Sequence, residues 1–399
     1  MINSKIKLTD FLDRYLIVPC LLIPFLVPSL NIYNDFILKV YVICVIGLYS
    51  WIRFIFKKKY QLLDIKYTYT SAVICLLLLV NIVLNHSNYS LFGGINIQVG
   101  SVGLLSVIGI ALNSINQPKK DLLIGLFLSC VMLSLFSIYF QHRVYGTVNS
   151  ARFIGPFFQS DVLAVYLGAG LISGISLFFK NKTINKNILL IIGELIILSG
   201  IIFTQTRLII MLVFLLLMIY LLMRPNRSFK IYIPIFLICI VSISAVVSVS
   251  NRSYSPHNLF NSVAYRLDLQ YSAIKNSSSS FVIGRGSEGI TKDLSCRNME
   301  DFYPLKQTCK NYIFLSTHNV YLDDSILFGY LVGILFLLIS IYSIYKSIKA
   351  GNNDLLVVGL ILSLITIYYF SNVNSIELEL IFWLLVSKTI ITKKNESLS

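Results

Sequence analysis

The stretch I-L-L-I-I-G-E-L-I-I-L-S-G-I-I-F-T-Q-T-R-L-I-I-M-L-V-F-L-L-L-M-I-Y-L-L-M, from Ile188 to Met223, holds two apolar runs joined only by T-Q-T-R. The runs, about Ile188–Phe203 and Leu208–Met223, are followed by the basic segment R-P-N-R-S-F-K. Similar runs of about 14–22 residues recur along the chain, most of them enough to cross a hydrocarbon core of ~30 Å as a helix. Of 399 residues, 56% are hydrophobic and only 13% charged, against about a quarter charged in soluble domains. The expected class is an all-α, polytopic integral membrane protein. Tandem soluble domains are excluded, because the longest non-apolar stretch is a single loop.

Working outward in both directions gives about 12 transmembrane helices. Before the quoted hairpin the runs are about Tyr15–Ser29, Phe36–Phe56, Tyr67–Leu84, Val99–Ile115, Leu122–Tyr139 and Val162–Phe179. After it come about Ile231–Ser250, Ser325–Tyr345, Leu355–Phe370 and Leu378–Ile391. Met1–Arg14 is polar and basic, and the run that follows lacks a small-residue cleavage site, so no cleavable signal peptide is expected.

The formal charge of +15 is explained by topology, without nucleic acid. With the N-terminus inside, alternate connectors carry Lys57–Lys59, Lys119/Lys120, Lys180/Lys182/Lys186, Arg224/Arg227/Lys230 and Lys346/Lys349. Cytoplasmic loops retain basic residues, so both termini are expected in the cytoplasm. The opposite connectors carry chiefly Arg143, Arg152 and Arg207, with Glu377 and Glu379 acidic. Residues 1–399 then form one transmembrane domain, with a large periplasmic loop, 251–322, between spans nine and ten.

Cys20, Cys44, Cys75, Cys130 and Cys239 lie in spans and read as packing residues. Cys296 and Cys309 lie in the loop, where an oxidising periplasm permits a disulfide between them. There is no C-x-x-C or His/Cys cluster with metal spacing, so no metal and no cofactor are expected.

Four positions stand out for chemistry. Arg207 closes the T-Q-T-R turn on the side where the charge bias disfavours cations; it reads as a ligand-facing cation or as an arginine snorkelling into headgroups. Arg266 lies in V-A-Y-R-L-D-L-Q-Y-S-A-I, an amphipathic surface helix, where a lipid phosphate or Asp268 are alternative partners. Arg285 sits in the glycine-rich V-I-G-R-G-S-E-G, which reads equally as a plain turn. His318, in S-T-H-N where the loop meets span ten, has the near-neutral pKa of a proton acceptor, or a packing role. Asp323 and Asp324 follow within two turns, either orienting it or capping the helix.

Together these segments resemble the O-antigen ligase/polymerase superfamily of bacterial membrane glycosyltransferases. F-T-Q-T-R-L-I-I-M-L-V-F resembles the family's outer turn with its arginine. Y-R-L-D-L-Q-Y-S-A-I-K-N followed by V-I-G-R-G-S-E-G is similar to its loop helix and glycine-rich turn. H-N, nine residues and Gly329 are similar to its histidine motif, although Val332 stands where that motif ends in a small or polar residue, with Gly333 one position late. V-Y-G-T-V-N-S-A-R-F-I-G-P-F-F-Q-S-D resembles its segment before span six.

The resemblance implies a GT-C-like fold and a metal-independent, inverting transfer. It implies an undecaprenyl-pyrophosphate-linked oligosaccharide donor and a glycan or lipid A–core acceptor, in the inner membrane with the site facing the periplasm. Arg207 and Arg266 are then the pyrophosphate-binding catalytic arginines. Arg152, Arg285 and Asn319 are further substrate contacts, and His318 handles the acceptor proton. A polymerase extending repeat units, with a chain-length regulator as a further partner, is the first expectation; a ligase is the alternative. A flippase is a more distant one, disfavoured because the charges cluster on one face and no internal repeat is evident.

Overall fold

The computed structural model describes residues 32–85, 87–93, 99–145, 160–180, 184–206, 282–286, 319–349 and 375–389, with isolated positions at 21, 153, 155–157, 267, 270, 271, 273–275 and 317. The described elements are helical: α1 Ile32–Phe56, α2 Ile65–Leu84, α3 Asn88–Phe92, α4 Ser101–Asn113, α5 Lys119–Tyr145, α6 Ser160–Lys180, α7 Ile184–Thr204, α8 Val320–Phe328, α9 Tyr330–Lys349 and α10 Ile376–Thr389. Among the described residues, 6 helices are long and apolar enough to cross a membrane: α1, α2, α5, α6, α7 and α9. Spans one, eight, nine and eleven of the sequence reading, and most of the 251–322 loop, lie outside the described residues apart from single positions.

Two packing groups form the core. In one, α4 is buried along its whole length against α1, α2 and α10. Gly47 lets α1 approach the Ser106 turn of α4, where any larger side chain would collide. Small residues of this kind bring helix backbones together where lipid supplies no hydrophobic drive. Trp51 Nε1 donates to the Leu105 carbonyl at 2.8 Å, fixing the register. In the other group α5, α6 and α7 pack mutually, with Gly170 of α6 closed down on Cys130, whose Sγ lies 3.1 Å from the Tyr166 carbonyl.

At 13 residues α4 is short for a span, and its end is held by lysines from elsewhere in the chain. Lys59 Nζ donates to the Asn113 carbonyl at 2.5 Å and to Asn113 Oδ1 at 2.6 Å. Lys388 Nζ donates to the carbonyls of Ser114, Ile115 (3.3 Å) and Gln117 (2.9 Å). Cations at a helix C-terminus satisfy carbonyls left without intrahelical partners and complement the dipole. Lys346 joins the same end of the bundle through Asp64, so lysines of several basic segments gather there.

Asp64 is also a helix cap. Its Oδ1 accepts from the Lys66 amide at 3.0 Å, while Oδ2 accepts from Lys346 Nζ at 2.7 Å and from the Tyr342 hydroxyl at 2.9 Å. Burial alone raises its carboxyl pKa; the bonds from Lys346, Tyr342 and Lys66 outweigh that and hold it below the usual range. A depressed carboxylate stabilises the fold above its unfolded pKa of about 3.9, and that contribution is lost as pH falls through the lower folded value. Asp64→Ala is therefore expected to cost about 1 kcal/mol, chiefly the cap. The stability gap from wild type, read as thermal unfolding in detergent, should be constant at neutral pH and shrink below about pH 4.

Candidate functional site

At the end of the bundle opposite the lysines, the turn before Arg207 is built tightly. The chain leaves α7 at Gln205, whose φ of 53° is left-handed and unusual for a side chain larger than glycine. Thr204 and Thr206 are buried and pair through their hydroxyls at 2.8 Å, and Thr204 Oγ1 also donates to the Ile201 carbonyl at 2.6 Å. Arg207 itself lies outside the described residues.

One residue earlier, α7 is tied to the segment that carries Arg152. The Phe153 amide donates to the Phe203 carbonyl at 3.0 Å, and the two rings stack with centroids 4.9 Å apart. Arg152 is outside the described residues, but its neighbour is fixed against the arginine turn. The same segment continues to Pro156, whose carbonyl accepts from Lys39 Nζ at 3.1 Å. Lys39 is buried in α1, forms an ion pair with Glu377 of α10 at 3.2 Å, and lies 5.8 Å from the Phe157 ring centroid. Sequence reading missed Lys39, although a lone lysine inside an apolar run is a signal in itself.

The histidine motif departs most from expectation. The apolar run predicted as one span over Ser325–Tyr345 is broken at Gly329, whose φ of 109° and ψ of 147° suit glycine alone. The chain reverses there, so α8 folds back along α9. Gly333 makes this approach feasible: a Cβ there would strike the Ser325 hydroxyl and stand 2.8 Å from the Tyr321 carbonyl. Further down, the Tyr321 hydroxyl lies 3.5 Å from Ser340 Oγ. Gly333 thus supplies the close packing that Val332, at the expected motif position, does not.

Asn319 starts α8 at the end remote from this turn, with nine helical residues between, which is roughly 14 Å along the axis at 1.5 Å per residue. Its Oδ1 caps the helix by accepting from the Leu322 amide at 3.3 Å. Thr317 is fully buried, and Asp323 Oδ1 lies 2.8 Å from both its amide nitrogen and its hydroxyl. The Thr317 hydroxyl is 3.0 Å from the Asn319 carbonyl and accepts from the Asn319 amide at 3.2 Å. His318 lies outside the described residues, but the positions on either side of it are buried and hydrogen-bonded. Asp324, the next residue, is buried and interacts electrostatically with Glu379 of α10 and with Asp323.

The glycine-rich turn docks on the opposite end of α8. The Arg285 amide donates to the Ile326 carbonyl at 2.8 Å, and the Gly284 carbonyl accepts from Asn85 Nδ2 at 2.6 Å. Gly284 faces Leu327 and Phe328 so closely that no side chain fits. Asn81 Nδ2 donates to the Leu327 carbonyl at 3.1 Å and its Oδ1 accepts from Ser101 at 2.9 Å, fastening the same point to α2 and α4. Arg285 is exposed above this junction. The preceding loop segment is helical where described, with Leu267, Tyr271 and Ile274 exposed and Ala273 buried. Arg266, Cys296 and Cys309 lie outside the described residues.

Phe153, next to Arg152, is bonded to the end of α7 that leads to Arg207, Lys39 links Pro156 to Glu377 of α10, and Glu379 of that helix interacts with Asp324 of α8.

Residues 192–338 match the family model described as O-antigen ligase. The match bears out the resemblance to the O-antigen ligase/polymerase superfamily. It includes Arg207, Arg266, Arg285, His318 and Asn319, while Arg152 precedes it. A comparison with curated proteins gave no match.

Proposed function

We propose that this chain is a membrane glycosyltransferase acting on undecaprenyl-pyrophosphate-linked glycans at the periplasmic face of a bacterial inner membrane, as a repeat-unit polymerase. One observation carries the reading: the segment matching the family contains both the T-Q-T-R turn and the T-H-N start of α8, each set among buried, hydrogen-bonded residues.

In this reading Arg207 and Arg266 hold the pyrophosphate of the donor. Guanidinium groups stay charged and meet phosphate oxygens as a fork, and they stabilise most where negative charge develops on the departing group. The acceptor hydroxyl attacks the anomeric carbon of the donor sugar from the face opposite the pyrophosphate. A C–O bond forms there as the C–O bond to pyrophosphate breaks, inverting the centre. The hydroxyl proton passes to His318. Arg152 and Arg285 add cationic contacts at the rim, and Asn319 serves the site from the start of α8.

Polymerase is favoured over ligase by V-Y-G-T-V-N-S-A-R-F-I-G-P-F-F, the stretch that looks more like polymerases. Both reactions share the donor half, so the acceptor decides. Purified protein in liposomes, given lipid-linked repeat units alone, is expected to build a ladder of longer glycans. Product that forms only when lipid A–core is added would make it a ligase. Lipid-linked glycan moved across the bilayer with no new bond would overturn the transferase reading.

A further inference from the structure

This inference rests on the transferase reading above, in which His318 handles the acceptor proton. The geometry points to Asp323 as the positioning residue for His318, acting through Thr317.

Asp323 lies in the first turn of α8 and is 1% exposed. A carboxylate there has two ordinary uses, capping the helix and complementing its dipole. The cap is already filled by Asn319. Asp323 instead reaches back over six residues, to the Thr317 amide and hydroxyl, both 2.8 Å from the same Oδ1. Both bonds meet one carboxyl oxygen, and burial keeps water from competing for these donors. The Thr317 hydroxyl in turn accepts from the Asn319 amide. Both chain neighbours of position 318 therefore depend on Asp323, one directly and one through Thr317. Among the described residues Asp324 instead interacts electrostatically with Glu379 and Asp323.

A general base must sit within hydrogen-bond reach of the proton it accepts, and displacing such a group by about 1 Å costs up to roughly 10²-fold in rate. Asp323→Ala removes the anchor and is expected to lower kcat by about that factor, with the KM for lipid-linked donor unchanged. Asp323→Asn keeps an oxygen that accepts from both Thr317 donors, and should retain kcat within about tenfold of wild type.

The discriminating measurement is the double variant. If Asp323 works through His318, adding Asp323→Ala to His318→Ala gives no further loss of kcat, because groups acting as one unit are non-additive. An additive loss, or unchanged kcat in Asp323→Ala at normal membrane abundance, overturns the proposal. Should Asp323→Ala fail to accumulate, Thr317→Val, which removes only the hydroxyl, is read by the same two criteria. Full activity in His318→Ala at normal abundance would instead remove the histidine from the mechanism, and the role given to Asp323 falls with it. A slowed His318→Ala with an additive loss from Asp323→Ala sinks only the role given to Asp323.

Discussion

His318→Ala is expected to lower the rate of glycan transfer by about 10²–10⁴-fold while donor binding survives, the range found for loss of a positioned general base. The separation follows from the division of labour. In the proposed reading pyrophosphate is held by Arg207 and Arg266, whereas the histidine meets only the acceptor. Around position 318, Thr317, Asn319 and Asp323 bond to one another through their own side chains and backbone. Protein abundance should therefore stay normal. Arg207→Lys keeps the charge but loses the bidentate fork, and should also impair turnover heavily, this time with weaker donor binding. Measuring surface polysaccharide beside membrane abundance separates these effects. Normal polysaccharide from His318→Ala at normal abundance would remove the histidine from the mechanism, and an arginine that only snorkels would accept lysine without loss.

Much of the architecture was legible because it is written in apolar run length. The runs at Phe36–Phe56, Tyr67–Leu84, Leu122–Tyr139, Val162–Phe179 and Ile188–Phe203 correspond to α1, α2, α5, α6 and α7 with ends extended by a few residues. The Ser325–Tyr345 run misled for a physical reason. Hydropathy records how apolar a segment is and carries no sign of its direction, so a chain that reverses at Gly329 reads like one that continues. A single positive φ made the difference. Gly333, one place late for the family motif, was informative only once α8 was seen folded onto α9. The T-Q-T-R turn was legible as tight, whereas its partner, the Phe153 amide on the Phe203 carbonyl, joins positions fifty residues apart that no local pattern connects. Of the charged residues predicted to act, the sequence marked Arg285 and the structure shows how it is mounted. Arg152, Arg207, Arg266 and His318 lie outside the described residues.

Lys39→Ala is expected to destabilise the protein by about 3–5 kcal/mol, the cost of leaving one member of a buried ion pair without its partner. Lys39 and Glu377 side chains are each 6% exposed and 3.2 Å apart, so neither is rescued by water when the other is removed. The lysine also donates to the Pro156 carbonyl at 3.1 Å; its loss removes that bond and loosens the segment that fixes Phe153 against the end of α7. Replacing both members with apolar residues of similar volume, as in Lys39→Met with Glu377→Leu, should recover most of the stability, because the desolvation of two charges disappears with them. The bond from Lys39 to the Pro156 carbonyl is still missing in that double variant, so recovery stops short by about 1 kcal/mol, the net worth of one hydrogen bond. Thermal unfolding in detergent of the two single variants and the double variant gives the cycle. Single variants as stable as wild type would show that the pair holds nothing together. A double variant as unstable as the singles would shift the weight from the ion pair to the Pro156 bond, and with it to the segment beside Arg152.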